Sequence, residues 1–297
     1  MQTQDYFFDG SVLRVKDSEL GIDFSDDFSP TYLNKEDFDK TPLKEGEKLV
    51  IKKDEEGHSR IVYVERNGLQ HGEMIYFYPD DQVQGQSFYK EGRLHGPSSF
   101  FSKEEKKLSL SWFFEGRYEG VMRQYFASGE LSSLQRYKHG QYEGKQEYFY
   151  ESGAVKTIMH YKEGKLEGSV FLFYEDGQLK RETFFLEGKK DGFDRVWNEV
   201  RQLTDEGNYA SGKPIDTHRK WHDNGSLVEE VLYYSPRRYD KRAWDEKNTL
   251  VFEGIYDEKL NYTQKMLTEE GEYRIQKGKW DSKRLVLDLG HIGDRAT

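Results

Sequence analysis

The sequence contains no cysteine, which excludes disulfides, thiolate nucleophiles and thiolate metal sites. Proline is scarce, at 6 of 297 residues, and no stretch approaches the roughly 20 apolar residues of a membrane helix. The start, Met1-Gln2-Thr3-Gln4-Asp5-Tyr6, lacks the basic segment and apolar run of a signal peptide, so a cytoplasmic location is expected. Secretion that needs no cleaved signal would leave no mark in the sequence. Basic charge is also in deficit: 45 Lys and Arg against 55 Asp and Glu give a net charge of −10. That balance argues against nucleic acid and anionic membranes as partners and makes a basic protein easier to accommodate. No nucleophile elbow, phosphate loop or metalloprotease motif occurs, so neither enzyme activity nor a cofactor or metal is expected.

Against these absences stand 21 Tyr and 19 Phe, too many aromatic residues for a disordered polyampholyte. They recur with a period. Gly68, Gly92, Gly116, Gly140, Gly164, Gly188 and Gly212 are spaced 24 residues apart, and a second column runs Gly72, Gly96, Gly120, Gly144, Gly168 and Gly192 until Asp216 breaks it. Two aromatic columns keep the same period: Phe77, Phe101, Tyr125, Phe149, Phe173, Trp197 and Trp221, then Tyr89, Phe113, Tyr137, Tyr161, Phe185, Tyr209 and Tyr233. A turn column holds Gly129, Gly153, Gly177 and Gly225, with Asp81, Glu105 and Arg201 as substitutes. A mostly apolar column follows two residues later in Val83, Leu131, Val155, Leu179, Leu203 and Leu227, with Lys107 the exception.

Local chemistry makes each copy a β-hairpin. In Gly168-Ser-Val-Phe-Leu-Phe-Tyr174 the aromatic and β-branched residues suit a pleated strand, and Glu175-Asp176-Gly177 supplies the turn. A three-residue turn with Gly177 left-handed would set Phe173 opposite Leu179 and leave Phe185 on the same face, one apolar stripe per repeat. The second turn, around Glu163-Gly164-Lys165, joins each hairpin to the next. The expected fold is all-β: tandem hairpins in one elongated, twisted antiparallel sheet, capped at both ends, with about 14 strands spanning on the order of 65 Å.

These columns resemble the bacterial variant of the MORN repeat found in YwqK-family antitoxins. The pattern is seen cleanly in Gly140-Gln-Tyr-Glu-Gly144, Tyr148-Phe149-Tyr150, Glu151-Ser152-Gly153, Val155 and Tyr161-Lys162-Glu163-Gly164. It covers residues 68 to about 235 and weakens at Asn198-Glu-Val-Arg201 and at Asp216. The resemblance implies a hairpin sheet and a binding role, with antitoxin-like neutralisation of a protein as one form of it; fold by itself does not fix function.

Three segments follow: 1–46, acidic, as a cap or interaction segment; 47–235, the hairpin repeats, with seven clear copies from Gly68; and 236–297, one eroded hairpin marked by Trp244, Leu250 and Tyr256, then a cap closing with Lys283–Leu289. Candidate partner contacts flank the linking turns: Arg93, Arg117, Lys165 and Lys189 after the first glycine, and the acidic column Glu119, Glu143, Glu167 and Asp191. Solvated turns with weak ion pairs are the plainer account of both. His71 and His95 share the acidic column's position, and His218 and His222 fall on a strand, where that spacing does not make a metal site. The expected activity is a protein-binding scaffold; an aromatic surface for carbohydrate or envelope polymer is the alternative. Exposed sheet edges leave the oligomeric state open.

Overall fold

A computed structural model describes residues 43–279 and, as backbone, the strands Gln4–Phe8, Leu13–Asp17 and Ile22–Ser25. Every regular element among the described residues is a β-strand, 26 in all. The three N-terminal strands pair antiparallel in sequence order as a sheet of their own, within the segment expected to form a cap. From Glu47 onward, strands pair antiparallel with their sequence neighbours as a succession of hairpins.

The chain divides into two compact units, one running to Leu166 with Glu175–Gly177, the other Glu167–Tyr174 with everything from Gln178. The first unit opens with the hairpin Glu47–Lys53 and Ser59–Arg66, one period ahead of the first clear copy. In the second unit two hairpins follow Tyr233: Tyr239–Trp244 with Leu250–Tyr256, and Asn261–Leu267 with Tyr273–Lys279. The second of these occupies residues assigned from sequence to a cap; the strand expected at Lys283–Leu289 lies outside the described residues.

Turn chemistry sets this geometry. The seven linking turns from Asn67-Gly68 to Ser211-Gly212 are two-residue loops with both residues left-handed, such as Glu91 (φ 49°) and Gly92 (φ 78°) between the paired Lys90 and Arg93. That type I′ conformation matches the twist of the flanking strands, and glycine at the second position carries it without a steric penalty. At the midpoint turn Tyr174 N donates to Gln178 O (2.8 Å), Gly177 is left-handed, and Phe173 pairs with Leu179, as expected from sequence. Asp81, Glu105 and Arg201 hold the same left-handed backbone where glycine is replaced.

One expectation is corrected. A bulge beside the midpoint turn of each clear copy, between Tyr76 and Phe77 in the first, breaks the simple alternation of faces. Phe77 is buried with Val62, Ile75 and Val83, whereas Tyr89 meets Tyr76 on the other face, hydroxyl to hydroxyl at 3.3 Å. The two aromatic columns therefore line opposite faces, and each repeat carries two apolar stripes.

Candidate interaction surface

The linking turns stack on one another through two sets of bonds. The amides of five turn glycines donate to a carbonyl of the preceding turn: Gly92 to Gln70 (2.8 Å), Gly116 to Leu94 (2.7 Å), Gly140 to Tyr118 (2.9 Å) and Gly164 to Tyr142 (3.0 Å) in the first unit, and Gly212 to Lys190 (2.7 Å) in the second. The acidic column supplies the other set. Glu119 accepts from His139 N (2.7 Å), Glu143 from Glu163 N (2.8 Å), Glu167 from Glu187 N (3.0 Å) and Asp191 from Ser211 N (2.9 Å). Each carboxylate thus satisfies the amide of the left-handed residue one turn along, a charge-assisted bond of about 1.5–3 kcal/mol.

His95 holds that same position, and its Nδ1 lies 3.5 Å from Glu115 N as acceptor. Both His71 and His95 are buried, which fits a turn clamp of equivalent shape. His218 is placed differently: its Nε2 donates to Asn208 O (2.8 Å), and its ring stands between Tyr209 and Tyr233. His222 Nε2 donates to Trp244 O (3.2 Å). Asp54, Glu56 and His58 gather ligand-type atoms within 4.8 Å, but they share one exposed turn in which Asp54 already accepts from His58 N.

The basic column is held out to solvent. Arg93, Arg117, Lys165 and Lys189 are all exposed, and none makes an ion pair among the described residues. Their stems lie along the next linking turn: a methyl placed on Gly140 would sit 3.6 Å from the Arg117 Cβ, and one on Gly212 would sit 3.9 Å from the Lys189 Cβ. The apolar stem rests on the turn while the charged head stays in water. Within each unit, then, the cations stand on turns whose own polar groups are occupied.

The second aromatic column joins further rings into ladders. In the first unit Phe113, Tyr118, Tyr137, Tyr142 and Tyr161 follow one another at 4.5–5.0 Å between centroids. In the second, Tyr209, His218, Tyr233, Tyr239 and Tyr256 do so at 4.3–5.4 Å. Burial, with Tyr142 as hydrogen-bonding neighbour, pushes the Tyr137 hydroxyl well above the ordinary phenol range, and Tyr239 rises through burial beside Tyr256. These rings spend their faces on one another, which leaves edges and hydroxyls for solvent and counts against a stacking platform for sugars.

Beneath the second unit's ladder lies a polar cluster that no sequence column announced. Asp194 accepts from Arg181 (2.8 and 2.7 Å), Thr183 (2.7 Å) and Lys190. Burial opposes ionisation of Asp194, but these hydrogen bonds prevail and hold its pKa down at about 2.

The MORN repeat variant matches four segments, 70–91, 118–139, 142–163 and 166–187. Each match spans one hairpin, from the exit of one linking turn to the left-handed residue of the next. The segments 94–115, 190–211 and 214–235 form the same hairpin without matching; they carry Lys107, Arg201 and Asp216 where the pattern expects apolar or glycine residues. No curated protein matches the chain.

Proposed function

We propose that this MORN-repeat chain is a non-enzymatic scaffold that binds another protein along its stacked linking turns. One observation carries the reading: Arg93, Arg117 and Lys165 in the first unit, and Lys189 in the second, are exposed and make no ion pair among the described residues, on turns fixed by their own hydrogen bonds. A prearranged cation loses little freedom when it meets a carboxylate, so acidic side chains of the partner are the natural contacts here. The net charge of −10 favours a partner that is basic elsewhere, which would steer the encounter while the turns supply local contacts. Antitoxin-like neutralisation is the form this takes if the partner is a toxin. The segment 1–46 is proposed as a cap on the array.

The test is affinity capture from native lysate with three baits: the intact chain, a chain lacking 1–46, and the variant Arg93→Glu/Arg117→Glu/Lys165→Glu/Lys189→Glu. The expected result is one stoichiometric protein, held by the first two baits, lost by the third, and rebinding when purified. Retention of polysaccharide without protein, or equal retention by all three baits, would overturn the reading.

A further inference from the structure

The second unit carries an unbroken row of opposite charges across eight neighbouring strands. Consecutive registers set Glu182 opposite Arg195, Arg195 opposite Glu206, Glu206 opposite Arg219, Arg219 opposite Glu230, Glu230 opposite Arg242, Arg242 opposite Glu253 and Glu253 opposite Lys265. Phe171 bounds the row on one side and Ile275 on the other. Some charge is neutralised along the row, as in Arg219 with Glu230 (2.9 Å) and Arg242 with Glu253 (3.0 Å). Both Arg195 and Lys265 instead lie over aromatic rings, those of Phe193 and Tyr273.

Cross-strand pairing favours alternation by itself. Two further features of the same face do not follow from it. Leu232 and Ile255, registered on either side of Asp240, are 37% and 56% exposed. A polar pocket of about 210 Å³ opens among Phe193, Arg195, Asn208, Thr217 and Arg219. It exists because Asn208 stands where earlier repeats place Trp112 or Phe184, so the space those rings would fill is open.

We propose that this face is the interface of a homodimer, a binding property distinct from the scaffold role above. A row of even length that begins with an acid and ends with a base is complementary to itself when reversed. A two-fold axis parallel to the strands, passing between Arg219 and Glu230, sets Glu182 against Lys265 of the second copy, Arg195 against Glu253, Glu206 against Arg242 and Arg219 against Glu230. The same axis brings the exposed Leu232 to Thr217 and its neighbouring pocket, and the exposed Ile255 to Phe193. Each contact occurs twice, as an isologous interface requires. Seven strand spacings make a band roughly 34 Å long; with six residues along each strand it covers on the order of 700 Å² per copy, close to the roughly 800 Å² of a specific interface.

Sedimentation velocity of the purified full-length chain over a concentration series tests this. The wild type dimerises, and Arg195→Glu and Glu253→Arg each weaken the dimer at least about tenfold, because each puts like charges face to face twice. Mixed in equal amounts, these two variants restore association, since the heterodimer is complementary at both contacts. Leu232→Ser leaves every charge in place and also weakens the dimer. A wild type that stays monomeric throughout, or a mixture that associates no better than either variant alone, would overturn the proposal.

Discussion

The same hairpin, repeated four copies apart, is filled with opposite chemistry. In the first unit Leu110, Trp112 and Val121 are buried on one face, and the registered Met74, Ser87, Ser98 and Ser111 are buried on the other. The equivalents 96 residues later are Glu206, Asn208 and Thr217 on the first face, and Val170, Thr183, Asp194 and Gly207 on the second. Ser87 and Ser98 join by a hydroxyl bond of 2.7 Å where Thr183 and Asp194 join by one of the same length. Backbone turns and stacking bonds thus fix the repeat, and side chains between the turns are free to specialise. At these positions the first unit is buried on both faces, whereas the second leaves Glu206 and Thr217 half-buried and Asn208 exposed on its first face.

The largest expected break in this comparison comes from cutting the buried core. Trp112 is 1% exposed, and Trp112→Ala costs about 4 kcal/mol by loss of transfer energy and creation of a cavity. Its equivalent Asn208→Ala costs under about 0.5 kcal/mol, because that side chain already borders an open pocket. Amide exchange of the strands in each unit, measured separately, checks both values.

Proton linkage separates the units next. Burial, opposed by the hydrogen bond from Gln86 (2.5 Å), pushes the Glu73 carboxyl up to about 7 from an ordinary 4.5. A group that binds its proton more tightly when folded contributes stability fully below about pH 4.5 and loses it as pH rises through 7. Glu73→Gln therefore leaves the first unit unchanged at pH 4 and stabilises it by about 3 kcal/mol at pH 8. Asp194 carries the reverse sign: with its folded value near 2, its contribution is complete above about pH 3.8 and disappears as pH falls toward 2. Asp194→Asn costs the second unit about 2 kcal/mol at pH 7, and that cost is lost as pH falls through about 2. Denaturation followed across pH in the two variants resolves the two slopes.

The turn clamps give a smaller contrast. Glu119 is 2% exposed, and removing its carboxylate strands the His139 amide, so Glu119→Ala costs about 2 kcal/mol. Asp191 is half-buried, water can replace it at Ser211 N, and Asp191→Ala costs about 1 kcal/mol. Equal losses at the two sites in urea titrations would show that burial does not grade the clamps.

Much of this was legible because a repeat multiplies each constraint. Glycine at 24-residue intervals revealed the linking turns, and the aromatic and apolar columns paired across the midpoint turn as expected. What misled was alternation: counting by twos from Phe173 to Phe185 gives one face, but the bulge between Leu172 and Phe173 consumes a residue and reverses it. The charge row was present in the sequence as two columns of opposite sign, Glu182, Glu206 and Glu230 beside Arg195 and Arg219. Its meaning depends on strands meeting in register, which spacing within one strand does not display. The acidic column was visible too, although its bond to the next turn's amide needs the stacking of turns, a long-range relation.

The smallest effect tests whether the charged face stabilises the unit that bears it. Arg242 is exposed and pairs with Glu253 at 3.0 Å, so Arg242→Ala costs no more than about 0.5 kcal/mol in dilute solution, where any dimer is dissociated. Raising salt should change the wild type's stability as little, because water already screens these pairs. If the loss instead approaches that of Asp194→Asn, the row is a core element of the second unit and not a surface left free for association. If it stays small while the dimer weakens, the eight charges contribute little to folding and their order matters for what the face meets.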